Sequence, residues 1–146
     1  NAIAWYRDAD GDTHGDQGSS QAACAPPSGY ISDASDCDDT NGTVWSVPGE
    51  ARSVAFADAT TLTWAPPASQ GGSSLRYDTL RPDTPTGFDA AATCVASDGL
   101  GVTAVDPAEP PDGAAFYYLL RAQNACGQGS LGVSSEGFER FAQACP

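Results

Sequence analysis

The stretch Thr60-Thr61-Leu62-Thr63-Trp64-Ala65-Pro66-Pro67 sets Leu62 and Trp64 at alternate positions among small and β-branched residues and stops at two prolines. Period-two apolar spacing closed by a strand breaker predicts a half-buried β-strand. The pattern continues outward in both directions. Upstream, residues 53–57 alternate Val54 with Phe56; downstream, residues 74–81, 91–97, 100–106, 115–123 and 130–134 form short segments split by Gly, Pro and Asp clusters. That makes seven short strands. Their lengths and spacing predict an all-β chain whose larger part, residues 50–146, is a sandwich of two antiparallel sheets.

Composition agrees with a loop-rich β-protein: the 146 residues include 16 Gly and 11 Pro and no Met. A formal charge of −13 argues against nucleic acid and anionic membranes as partners. No apolar run approaches the roughly 20 residues of a membrane helix, so membrane insertion is not expected. All six basic residues are arginine, which removes lysine Schiff bases, lysine general bases and Lys–Asn cross-links. Five cysteines point to an oxidising compartment, hence an extracellular, secreted or cell-surface location. The chain opens at Asn1 without Met or a basic-then-apolar leader, the expectation for a mature, processed or excised chain.

Ahead of the sandwich, residues 1–49 read as a small module built on Asp8-Ala9-Asp10-Gly11-Asp12-Thr13-His14-Gly15-Asp16 and its echo Asp33-Ala34-Ser35-Asp36-Cys37-Asp38-Asp39. Between Asp8 and Asp39 lie eight Asp and no Lys or Arg. Such a run repels itself unless a cation sits within it. The i, i+2, i+4 spacing of Asp8, Asp10 and Asp12 matches the opening of a calcium loop, with His14 at the position that supplies a backbone carbonyl and Asp16 two residues on. The twelfth position is Ser19 rather than the bidentate Glu, and calcium takes roughly six to eight oxygens. Asp36, Asp38 and Asp39 are therefore expected to fold back and complete a shell for about two calcium ions. A bridge between Cys24 and Cys37 would hold that return in place, contributing roughly 3 kcal/mol by loop closure.

Taken together, Trp5-Tyr6-Arg7-Asp8-Ala9-Asp10-Gly11-Asp12, Cys24-Ala25-Pro26-Pro27-Ser28-Gly29-Tyr30 and Asp36-Cys37-Asp38-Asp39-Thr40-Asn41 resemble the metal-binding repeat of bacterial surface and secreted proteins. That repeat is itself similar to the calcium-binding thrombospondin type 3 repeat. The resemblance implies calcium as ligand; its departures, at Thr13 or its neighbour where the family usually has Gly and at residues 44–49, fall outside the carboxylates. Further on, Leu62-Thr63-Trp64-Ala65-Pro66-Pro67 and Tyr118-Leu119-Leu120-Arg121-Ala122-Gln123-Asn124-Ala125-Cys126-Gly127 resemble the second and sixth strands of a fibronectin type III domain. That implies Trp64, Tyr118, Leu120 and Ala122 facing inward, with Tyr118 in a structural tyrosine corner. A fibronectin type III-like fold leaves function open, because the sandwich hosts many roles.

Catalysis finds little support. The single His14 sits in the acidic loop, no Ser or Cys has a His–Asp pair available, and pairs such as Asp106 with Glu109 and Glu136 with Glu139 read as solvated loop charges. Cys94, Cys126 and Cys145 leave their pairing open, and a leftover thiol is expected to be buried. Asn1-Ala2-Ile3-Ala4-Trp5-Tyr6 reads as a strand for which the small module offers no sheet, so Ile3 and Trp5 are expected to pair with a sandwich edge or with a neighbouring copy, or else to cover their own module. The expected function is a calcium-binding extracellular structural unit, self-associating into a polymer or joined to neighbouring domains. The alternative is an accessory adhesion module binding polysaccharide through exposed aromatics.

Overall fold

In the computed structural model of the chain, residues 1–82, 84–86 and 92–146 are described. The strand expected from Ala91 begins, within them, at Thr93. Among the described residues there are ten strands in three antiparallel sheets and no helix. None is therefore long and apolar enough to cross a membrane.

Seven strands follow Gly49: β4 (Arg52–Phe56), β5 (Thr61–Ala65), β6 (Arg76–Arg81), β7 (Thr93–Gly99), β8 (Thr103–Val105), β9 (Leu119–Asn124) and β10 (Gly127–Gln128). They form one sheet in the order β4-β5-β8 and another in the order β10-β9-β6-β7. Leu62 and Trp64 on β5 lie in one buried cluster with Ala104 on β8, Tyr77 on β6, and Leu120 and Ala122 on β9. Tyr118 packs against this cluster half-buried. The seventh strand sits earlier than expected, at Gly127–Gln128, and after Gly129, whose N–H still donates to Ala122 O, residues 130–134 lie outside it. Gly132 takes a φ of 77° and Leu131 is buried on the outer face instead.

That outer face of the four-stranded sheet carries a second cluster, in which Leu80, Ala92, Leu119 and Leu131 pack with Cys94, Ala142 and Cys145. The Cys94–Cys145 disulfide fastens the C-terminal segment over it. Asp78 and Arg121, on the same face as Leu80 and Leu119, are thereby buried.

Asp106 is a correction to the expectation of a solvated loop charge: it is 5% exposed. Its carboxylate accepts from Arg81 Nη1 at 2.6 Å and from the Tyr118 hydroxyl at 3.0 Å, so Tyr118 ties down a side chain here. Arg81 also lies over the Phe116 ring, 4.2 Å from its centroid. Burial pushes the Asp106 pKa up, but the Ala108 N–H, Arg81 and Tyr118 outweigh it and hold the group below its ordinary 3.8. A depressed carboxyl pKa stabilises the fold fully above the unfolded value of about 3.9 and loses that contribution as pH falls through the folded value. Asp106→Asn is therefore expected to flatten the acid limb of melting temperature against pH below about pH 4, the wild type losing stability there more steeply. An unchanged limb would show that Asp106 does not drive it.

The first 49 residues have a sheet of their own, contrary to expectation. β1 (Ile3–Arg7) pairs antiparallel with β2 (Asp16–Ala23), Ile3 opposite Ala23 and Trp5 opposite Gln21, and at Tyr6 and Arg7 with β3 (Tyr30–Ile31). The N-terminal strand is thus satisfied within its own chain, and Trp5 Nε1 donates to Ala23 O at 3.2 Å. Contacts also cross the expected boundary near Gly49. Val44 is buried and bridges to Gly72, Trp45 N and Ser46 N both donate to Gly71 O, and Asn124 Nδ2 donates to Ser46 O. Gly71 is needed at this seam: with φ 64° and Ser46 O only 1.9 Å from where a Cβ would stand, no other residue fits.

Candidate metal centre

The acidic loop is shaped by its own backbone. Asp10 Oδ1 accepts from Asp12 N, Asp12 Oδ1 from His14 N and Asp36 Oδ1 from Asp38 N, each two residues on, as short polar side chains do in turns. One oxygen of each carboxylate is thus occupied. The other, Oδ2 in all three, is buried and has no hydrogen-bond partner. Buried polar atoms are rarely left so, because an unpartnered group is costly.

Gly15 brings the two halves of the sequence together. A Cβ there would stand 2.7 Å from Tyr6 Cβ and from Asp33 O, so only glycine permits the approach. Asp36 N donates to Gly15 O, and Asp16 and Asp36 form a parallel bridge. The result is two triads sharing Asp10. One carboxylate oxygen from each of Asp10, Asp12 and Asp36 lies within 4.8 Å of the others, and the same holds for Asp8, Asp10 and Asp39.

The triads differ. Asp36 is 7% exposed, whereas the second triad is half-buried and already engaged: Asp8 accepts from Gly11 N and Thr13 N, and Asp39 from Ala9 N. Arg7 lies 3.8 Å from Asp39. Burial raises the Asp36 pKa, and the carboxylates of Asp12, Asp10 and Asp39 push it further, beyond what the Asp38 N–H offsets. In the absence of a cation this cluster is short of positive charge.

No family model matches this chain, and no curated protein matches it. The site's chemistry is read from its donors alone. Both triads offer oxygen only, the donor set of a hard cation such as calcium or magnesium. Thiolate and imidazole are held elsewhere: Cys37 is in a disulfide, and the His14 ring stacks on Trp45 at 4.8 Å while its Nδ1 meets Ser35 Oγ at 2.8 Å.

Of the residues singled out in the sequence, Asp8, Asp10, Asp12, Asp36 and Asp39 converge. Asp16 and Asp38 lie outside both triads, their Oδ1 atoms taken by Gly18 N and Thr40 Oγ1. Thr13 adopts φ 76°, a left-handed conformation that favours glycine.

The expected Cys24–Cys37 bridge is corrected. Cys37 pairs with Cys126, 89 residues away, and Cys24 is a free and exposed thiol. Cys37 faces the sandwich seam, where its N–H donates to Trp45 O, while Cys24 ends the separate β1–β2 pair. The anchor of the Asp36–Asp39 return is therefore β9 and its turn.

Proposed function

We propose that this chain is a non-enzymatic, calcium-binding extracellular structural protein, a module or subunit of a bacterial cell-surface or filamentous assembly. The observation that carries the reading is the convergence of Asp10, Asp12 and Asp36 with three buried, unpartnered oxygens. Calcium there, and a second ion at Asp8, Asp10 and Asp39, would supply the charge the cluster lacks and hold the acidic loop against the Asp36–Asp39 turn. The resemblance to the metal-binding repeat supports calcium. Sheets of three and four antiparallel strands around one core support a fibronectin type III-like sandwich behind it. Two disulfides support an oxidising location. The outer edge of β4, with Val54 and Phe56 exposed, supports contact with a neighbouring copy or domain.

Metal analysis after chelation and dialysis against calcium is expected to find about two ions per chain, bound with dissociation constants on the order of 10⁻⁴ to 10⁻³ M or tighter. Retention of zinc or iron in place of calcium would refute the reading, since those metals favour sulfur and nitrogen donors. Sedimentation with calcium and with chelator tests the assembly: calcium-dependent large species support it, and a monomer in both conditions opposes it.

A further inference from the structure

Half of the proposed calcium shell is fastened to the sandwich. Cys37, between Asp36 and Asp38, is bonded to Cys126 in the turn after β9. Its N–H donates to Trp45 O, and the adjoining Trp45–Ser46 backbone is held by Gly71 O. Asn124 Nδ2 donates to both Ser46 O and Gly71 O, while Asn124 Oδ1 accepts from Cys126 N. The other half, Asp8, Asp10 and Asp12, belongs to the loop between β1 and β2. Asp36, 93% buried by its 7% exposure, aims an unpartnered oxygen into the gap between the halves.

From this arrangement we infer that the Cys37–Cys126 disulfide sets the calcium affinity of the acidic cluster, so that calcium occupancy and the redox state of this one disulfide are thermodynamically linked. The inference rests on the calcium reading above. A dithiol reductant supplies the chemistry: its thiolate attacks one sulfur, a mixed disulfide forms, and the second thiol displaces it. Cys37 and Cys126 leave as two thiols, having gained two electrons and two protons, and the reductant leaves as its own disulfide. The 36–39 turn then keeps its hydrogen bonds to Gly15 and Trp45 but loses its covalent anchor. Mutually repelling carboxylates spread, and a cation must gather them again before it binds. Coupling of this kind is reciprocal, so calcium protects the same disulfide from reduction.

The test uses the wild-type chain with Cys24 alkylated beforehand, equilibrated in dithiothreitol redox buffers with calcium or with chelator and read by trapping and mass spectrometry. Calcium is expected to raise the dithiol-to-disulfide ratio needed to half-reduce Cys37–Cys126 by on the order of tenfold, which corresponds to about 30 mV. Cys94–Cys145, in the separate cluster on the outer sheet face, serves as internal reference and should not move. In calorimetry, Cys37→Ser/Cys126→Ser is expected to bind calcium about tenfold more weakly than the oxidised wild type. Equal shifts of both disulfides, or no shift while the oxidised protein binds calcium, would overturn the linkage and leave the calcium reading standing. Absence of calcium binding to the oxidised protein would overturn both.

Discussion

Replacing Arg121 by Ala is expected to destabilise the protein by about 3 to 5 kcal/mol, the range for removing one partner of a buried ion pair. Arg121 is 2% exposed, and Asp78, at 3.9 Å, is fully buried. The guanidinium donates through Nη2 to Ala142 O at 2.7 Å, and through Nη1 to Gln143 O at 3.3 Å and Gln128 Oε1 at 3.1 Å. A single side chain thus holds down the C-terminal segment and neutralises the carboxylate beneath it. Its loss leaves Asp78 with the Asp98 N–H and Gln123 Nε2 but no countercharge. Melting temperature should fall by on the order of 10 °C. Arg121→Lys should recover only part of this, because an ammonium cannot span the two carbonyls as the planar fork does. Joint replacement of Asp78 by Leu and Arg121 by Met should recover more than either single change, since an apolar pair removes the uncompensated charge. A change within about 0.5 kcal/mol for Arg121→Ala, the range of ordinary surface sites, would show that the clasp contributes nothing.

Asp78 and Arg121 also show where sequence reading stops. Alternation in β5 identified its inward face because Leu62 and Trp64 bury apolar area at period two, while the inward Leu120 and Ala122 of β9 were implied by the fibronectin type III resemblance. Nothing in Arg76–Arg81 marks Asp78 as buried. That depends on the C-terminal segment lying over the outer face, and so on the Cys94–Cys145 pairing, which composition does not encode. β2 was missed for a related reason: Asp16–Ala23 has no apolar alternation, and its pairing with β1 is visible only in the backbone register. Spacing of the aspartates was more informative, because Asp10, Asp12 and Asp36 each accept from the N–H two residues on and leave one oxygen for the gap. What spacing could not do was separate Asp36 and Asp39, which converge with the first loop, from Asp38 between them. Nor could it find Cys126 as the partner of Cys37, since proximity in sequence favours Cys24 and only the seam at Gly71 brings the turn after β9 alongside.

Asp36→Asn is expected to reverse its effect on stability with the presence of calcium. At about one hundred times its dissociation constant, calcium should stabilise the wild type by about 2.7 kcal/mol, or about 5 to 11 °C in melting temperature. Removing the charge at Asp36 takes away the most buried carboxylate of the inner triad, so most of that gain should vanish. With chelator the sign changes. The Asp36 pKa is raised by burial and by Asp12, Asp10 and Asp39, so the ion-free fold is destabilised as pH rises through that pKa. A neutral Asn escapes this, and the variant should melt higher than the wild type near neutral pH. Asp33→Asn is the control from the same acidic run. Asp33 stands outside both triads, and the Ser35 hydroxyl, the Ser35 N–H and His14 hold its pKa below the ordinary value against a small effect of burial. Its replacement should leave the calcium response intact. Equal calcium shifts in wild type, Asp36→Asn and Asp33→Asn would place the ion elsewhere, whereas a crossing confined to Asp36→Asn would tie it to the three buried oxygens of Asp10, Asp12 and Asp36.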